Sequence, residues 1–296
     1  MQVMTRTAQP PQPAEIRALE LQNVSRYRHP LAFYVLATAI PWVLWFTAAW
    51  LSNQPDPSQT TLAVMTGLGL AGLAAPVVVA IWFIRKDGLT RDVLTRLVAP
   101  RGTRAWVWLA AVALLPGALL VATAISIPFG YDVSQFELRN GFTFATGLLP
   151  AWITLVLAPV LEEIAWKTYG TDALASRMKV LWASLVFGVV WVLWHVPLGF
   201  IKGYYQAEVV EEGVIHSLNY AFSLIPFIIL MNWLYYRGGR SVLVAIVFHL
   251  AANFGNEVFL THPDTKVIQT ALLLVVSVVV VWRDRELFLT PPRLRA

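Results

Sequence analysis

Two glutamates and a lysine stand at the end of an apolar run in "WITLVLAPVLEEIAWKTYG", where Glu162, Glu163 and Lys167 follow residues fit for a lipid-buried helix. At 100° per residue, Glu163 and Lys167 are i,i+4 neighbours in the favoured Glu-before-Lys order for an ion pair. Glu162 points onto a different stripe, shared with Trp166. One carboxylate is thus free of the lysine. Two further apolar runs carry polar groups: "FGVVWVLWHVPLGF" holds His195, and "IVFHLAANFGNE" holds His249 and Asn253 one helical turn apart, with Asn256 a turn further. Each such residue has an ordinary reading: a solvated helix end, a hydrogen-bonded packing histidine, an interhelical amide. Together they admit more. A carboxylate and a histidine make a general base and its partner. A second histidine with an asparagine makes a donor pair for a developing oxyanion. Glu162, His195 and His249 could instead ligate a divalent ion such as zinc.

The elements that must position these residues are legible in the composition. The 296 residues are 57% hydrophobic and 13% charged, against about 45–50% and about 25% in soluble domains. The apolar residues come in blocks near the length needed to cross about 30 Å of hydrocarbon. Eight blocks can be drawn, at 31–52, 61–84, 105–128, 144–166, 180–201, 216–236, 241–260 and 267–282. The expected fold is therefore all-α and polytopic, with about eight transmembrane helices. Its parts are an N-terminal cytoplasmic or interfacial arm (1–30), a membrane domain (31–282) and a basic tail (283–296).

Lys and Arg alternate between rich and poor connections. Segment 85–104 holds Arg85, Lys86, Arg91, Arg96, Arg101 and Arg104, whereas 129–143 holds only Arg139. The positive-inside rule then places both termini in the cytoplasm. Cysteine is absent, which removes disulfides, thiolate metal sites and a cysteine nucleophile. "GLGLAG" at 67–72 matches a dinucleotide fingerprint but lies inside an apolar block. Small-residue packing through Gly67, Ala71 and Ala75 is the reading that fits a membrane helix. His29, His216 and His262 fall in connections and are expected to be exposed. No nucleic-acid partner is indicated, and membrane lipids are the expected surroundings.

The three polar runs also carry a family pattern. "EEIAWK" resembles the EExxxR motif, "WHVPL" the FxxxH motif and "HLAAN" the HxxxN motif of the CPBP intramembrane proteases, the Abi or CAAX-protease-like family. The resemblance covers about residues 145–260. It implies an eight-helix membrane fold in the plasma membrane and cleavage of a membrane-associated, prenylated or otherwise lipidated protein or peptide. By motif position it implies that Glu162 activates water with His195, that His249 and Asn253 form an oxyanion hole, and that Glu163 supports the site. The family is described both as metal-dependent and as glutamate-based. The glutamate route is favoured here because H-x-x-x-H spacing on one helix is missing. Lys167 replaces the motif arginine and Trp191 the motif phenylalanine. These departures motivate one alternative, a catalytically weak membrane scaffold or bacteriocin-immunity factor. Intramembrane Glu and His motivate another, a proton-coupled transporter. The depth of His195 along its span further requires Glu162 to lie on a helix continuing to about Ser176, beside a water-filled cavity open to the cytoplasm or sideways to lipid.

Overall fold

A computed structural model describes residues 26–98, 102–141 and 149–291; most of the N-terminal arm and the end of the tail lie outside the described residues. The chain folds into helices: α1 (Pro30–Ser52), α2 (Gln59–Lys86), α3 (Thr90–Arg96), α4 (Ala105–Ser126), α5 (Ala151–Ala165), α6 (Thr171–Ala175), α7 (Val180–His195), α8 (Tyr205–Glu211), α9 (Val214–Arg237), α10 (Val242–Val258), α11 (Pro263–Arg283) and α12 (Arg285–Leu289). In lipid every backbone N–H and C=O must be satisfied within the segment, which is why apolar blocks of this length become helices. Pro41, Pro76, Pro116, Pro159 and Pro226 lie inside them, as membrane helices tolerate.

Among the described residues, six helical segments are long and apolar enough to cross a membrane. At the positions of the expected fourth and seventh spans the chain is helical, in other shapes. α10 is apolar but 17 residues long. α5 and α6 are one rod joined through a π-helical turn, Trp166–Gly170, and the rod is capped at Ser176. The charged stretch therefore sits within a continuous helix, as the depth argument requires. Leu109 is 69% exposed, Val43 68% and Trp282 70%. An outer surface this apolar is the lipid-facing belt of a multi-pass membrane protein.

α1 packs along α2, α10 against α4 and α5, and α9 against α7 and α11. The small residues of α2 work on a different face from the one expected. Gly67 has nothing within 4 Å, whereas a Cβ on Gly72 would lie 2.2 Å from Trp45 Nε1. Trp45 donates its indole N–H to Gly69 O at 3.1 Å. Gly69 and Gly72 thus seat a tryptophan, while Gly67 and Ala71 point outward.

The two ends of the bundle differ. At one, the poor connections are stitched together: Arg139 N donates to Val258 O, Leu260 N to Glu137 O, Lys202 N to Ser52 Oγ and Tyr131 OH to Asp264. At the other, the basic connections surround a buried ionic lattice. Asp172 accepts from Arg240 Nη2 at 2.6 Å, Tyr235 OH at 2.9 Å and Tyr236 OH at 3.1 Å. Asp92 accepts from Arg240 Nη1 at 3.0 Å and Arg96 Nε at 2.9 Å. Arg96 also donates to the carbonyls of Lys167 and Thr168, oxygens that the π-helical turn would otherwise leave under-satisfied. Gly239 and Arg240 take positive φ of 70° and 60°, a tight reversal after α9 that turns Arg240 back toward Asp172.

Candidate active site

Four predicted residues from three helical rods line one cavity of about 250 Å³: Glu162 from α5, His195 from α7, and His249 and Asn253 from α10. Asn256 joins them, with its Oδ1 buried and unpartnered. Trp191 is the hub. Its indole N–H donates to Glu162 Oε2 at 3.1 Å, and its ring centroid lies 5.2 Å from that of His195 and 5.5 Å from that of His249. A phenylalanine there could pack but could not donate.

The two histidines have different anchors. His195 Nδ1 lies 2.7 Å from Trp191 O. A carbonyl only accepts, so Nδ1 carries the hydrogen and Nε2 keeps its lone pair. His195 and Glu162 are neighbours through Trp191, with the cavity between them. His249 Nδ1 lies 2.8 Å from Glu163 Oε1. The buried carboxylate therefore orients this ring, leaving Nε2 as its other polar atom. Among the described residues, no three His, Asp or Glu side chains form a group able to hold a metal ion.

Glu163 and Lys167 stand behind the cavity wall, both fully buried. Their i,i+4 pairing is present but loose, Nζ to Oε2 at 4.0 Å. The closer partner of Lys167 is Asn232 Oδ1 at 2.6 Å, and Asn232 Nδ2 in turn donates to Ser184 Oγ at 2.9 Å. The ammonium also sits 5.4 Å from the Phe187 ring centroid and 5.8 Å from that of Tyr235, within cation–π range. Asn232 was not among the residues picked out from the sequence. Its signal was there, an amide in the middle of an apolar block. Trp166, expected to share the Glu162 stripe, instead packs against Phe33, Phe187 and Trp194. His29 is not free: its Nδ1 lies 2.8 Å from Asp87 Oδ1. His216 and His262 lie near Asp264, half-buried and exposed respectively.

Residues 144–255 match the family model of the Rce1-like type II CAAX prenyl endopeptidases. A curated relative, CAAX prenyl protease 2 of Methanococcus maripaludis, is 33% identical over 269 residues, covering 90% of this chain and 98% of the relative. The chain belongs to the Rce1-like CAAX prenyl endopeptidase family. Membership makes it an intramembrane peptidase, in keeping with a polar cavity enclosed by lipid-facing helices. The matched region of this family member runs from just before α5 to near the end of α10, and so contains every residue named around the cavity from the three motifs.

Proposed function

We propose that the protein is an endopeptidase that cleaves a membrane-associated, lipidated protein or peptide by glutamate-activated water. The observation that carries this is the cavity on which Glu162, His195, His249 and Asn253 converge. Glu162, assisted by the free Nε2 of His195, takes a proton from a water held between them. The water oxygen attacks the scissile carbonyl carbon. The negative charge that grows on the carbonyl oxygen is met by the His249 ring and the Asn253 amide. The C–N bond then breaks, and the proton held by Glu162 passes to the leaving amine. Glu163 holds the His249 ring in place, and the Trp191 indole fixes one oxygen of Glu162 so that the other faces the water. The name of the archaeal relative and the apolar surround both favour a prenyl-type anchor on the substrate.

The donor arrangement favours this route over a metal centre. The three candidate ligands do not form a metal-holding group among the described residues. Dialysis against a chelator is expected to leave hydrolysis unchanged. In proteoliposomes, Glu162→Gln and His195→Ala should each lose cleavage of a prenylated peptide while remaining folded. Full cleavage by either variant would sink the proposal.

A further inference from the structure

One carboxylate oxygen behind the cavity wall has no hydrogen bond. Glu163 Oε1 lies 2.8 Å from His249 Nδ1, but Glu163 Oε2 is buried and without a hydrogen-bond partner. A buried oxygen in that state costs free energy and calls for a reason. A cation is at hand, yet Lys167 Nζ stops 4.0 Å away, beyond hydrogen-bond reach. The lysine stem is flexible enough to close the remaining gap. What keeps it back is another acceptor: Nζ lies 2.6 Å from Asn232 Oδ1 and 3.3 Å from Thr171 Oγ1.

The groups behind Asn232 fix which way its amide points. The carbonyl of Val180 only accepts, so Ser184 donates its hydroxyl hydrogen there, at 2.8 Å. Ser184 Oγ is then free to accept from Asn232 Nδ2 at 2.9 Å. That leaves Oδ1 facing an ammonium that can only donate. Reversing the amide would set two donors, Nδ2 and Nζ, against each other. Ser184 and Asn232 are 1% exposed, and Lys167 and Glu163 are fully buried, so these contacts are made where polar groups interact strongly. The row of contacts joins separate rods: Ser184 on α7, Asn232 on α9, Lys167 and Glu163 on the rod of α5 and α6, and His249 on α10.

We infer that Asn232 is a positioning residue for the peptidase: seated by Ser184, it holds Lys167 off Glu163, so that the hydrogen bond of the carboxylate is kept for His249. Without Asn232, the strongest acceptor left to the lysine is Glu163, and a charge-assisted bond there competes with His249 for the carboxylate. The His249 ring then loses the anchor that orients it beside the cavity. Asn232 touches no reacting atom and acts only through Lys167 and Glu163. The inference rests on the reading of His249 as part of the active site.

Asn232→Leu keeps the shape of the side chain and removes the acceptor. In proteoliposomes it should lower kcat for a prenylated peptide by about 10–100-fold with KM unchanged, since a small misplacement away from the chemistry can cost that much. Asn232→Asp keeps an oxygen toward Lys167, with Ser184 turning its hydroxyl hydrogen to the second oxygen, and should retain most of the wild-type kcat. Wild-type kcat in Asn232→Leu, an equal loss in Asn232→Asp, or a change confined to KM would overturn the inference. A structure of Asn232→Leu reads the same point without cleavage. Lys167 Nζ should lie about 3 Å from Glu163 Oε2, at ordinary hydrogen-bond length, with the contact from Glu163 to His249 lengthened. A lysine that has not moved overturns the inference, whatever the activity. Full cleavage by Glu162→Gln sinks the endopeptidase reading alone, and this structural arm still decides the role of Asn232. If Asn232→Leu fails to accumulate, Ser184→Ala, which frees the amide to turn, should give both changes at smaller size, and neither change in that variant overturns the inference.

Discussion

Two polar clusters lie inside this apolar bundle, and they are built on opposite principles. Around Asp172, every charge has several partners: two arginines and three tyrosines close on two aspartates and two backbone carbonyls. Around Glu162, polar groups are anchored on one side and open on the other. Glu162 has Trp191, His195 has a carbonyl and His249 has Glu163, yet each turns its remaining capacity toward a cavity. A saturated cluster holds elements together, because breaking it leaves an uncompensated charge. A cluster left partly open is where a water and a carbonyl can bind. Charge content would not separate the two, since both are rich in ionisable groups; satisfaction does.

The contrast can be broken most severely by exchanging acids for amides in each cluster. Glu162→Gln should lower kcat by about 10²–10⁴-fold, the usual worth of a positioned base, with little change in melting temperature. Asp172→Asn should do the reverse, destabilising the fold by about 3–5 kcal/mol as read from thermal unfolding in detergent. If Asp172→Asn kept its stability but lost activity, the lattice would belong to the chemistry instead.

A smaller effect tests the hub. Trp191→Phe keeps the ring but removes the donor to Glu162. Losing a hydrogen bond to a charged group, about 1.5–3 kcal/mol, should cut kcat/KM by about 10–100-fold. The sequence pattern alone argues the other way, since phenylalanine is the motif residue, so an active Trp191→Phe would show that the indole N–H is dispensable.

Lys167→Arg is the next step down. The larger guanidinium must enter a fully buried pocket already bounded by Asn232, Phe187 and Tyr235, at an overpacking cost of about 1–3 kcal/mol. Asn232→Ala makes room, so the double variant should be less destabilised than the sum of the two single ones. Simple additivity in thermal unfolding would mean that lysine and asparagine are not a matched pair.

The mildest perturbation is pH at the saturated cluster. Burial pushes the Asp92 carboxyl up, but Arg240 and Arg96 outweigh it and hold it below the usual carboxylate range. A depressed folded pKa stabilises at pH above the unfolded value, about 3.9, and that contribution is lost as pH falls through the folded value. Melting temperature should therefore decline below about pH 4, and the decline should be shallower in Asp92→Asn.

The apolar blocks were legible because hydrocarbon imposes a length on every helix crossing it, and the three motifs were legible because ionisable groups are rare in such blocks. Sequence thus determined the helical membrane class and named Glu162, His195, His249 and Asn253. Helical spacing, however, reports only neighbours along one rod. It showed Glu163 beside Lys167, but the stronger partners of both, His249 and Asn232, come from other rods. It read the small residues of α2 on the wrong face, because only Trp45, from α1, decides which glycines must lack a Cβ. It counted Arg96 only as one charge of a basic connection, although Arg96 and Arg240 fold inward onto Asp92 and Asp172. The sequence settled which residues are costly to bury. The tertiary structure decided which of them are repaid by partners and which are left facing a cavity, because satisfaction of a polar group is a property of the neighbours that converge on it.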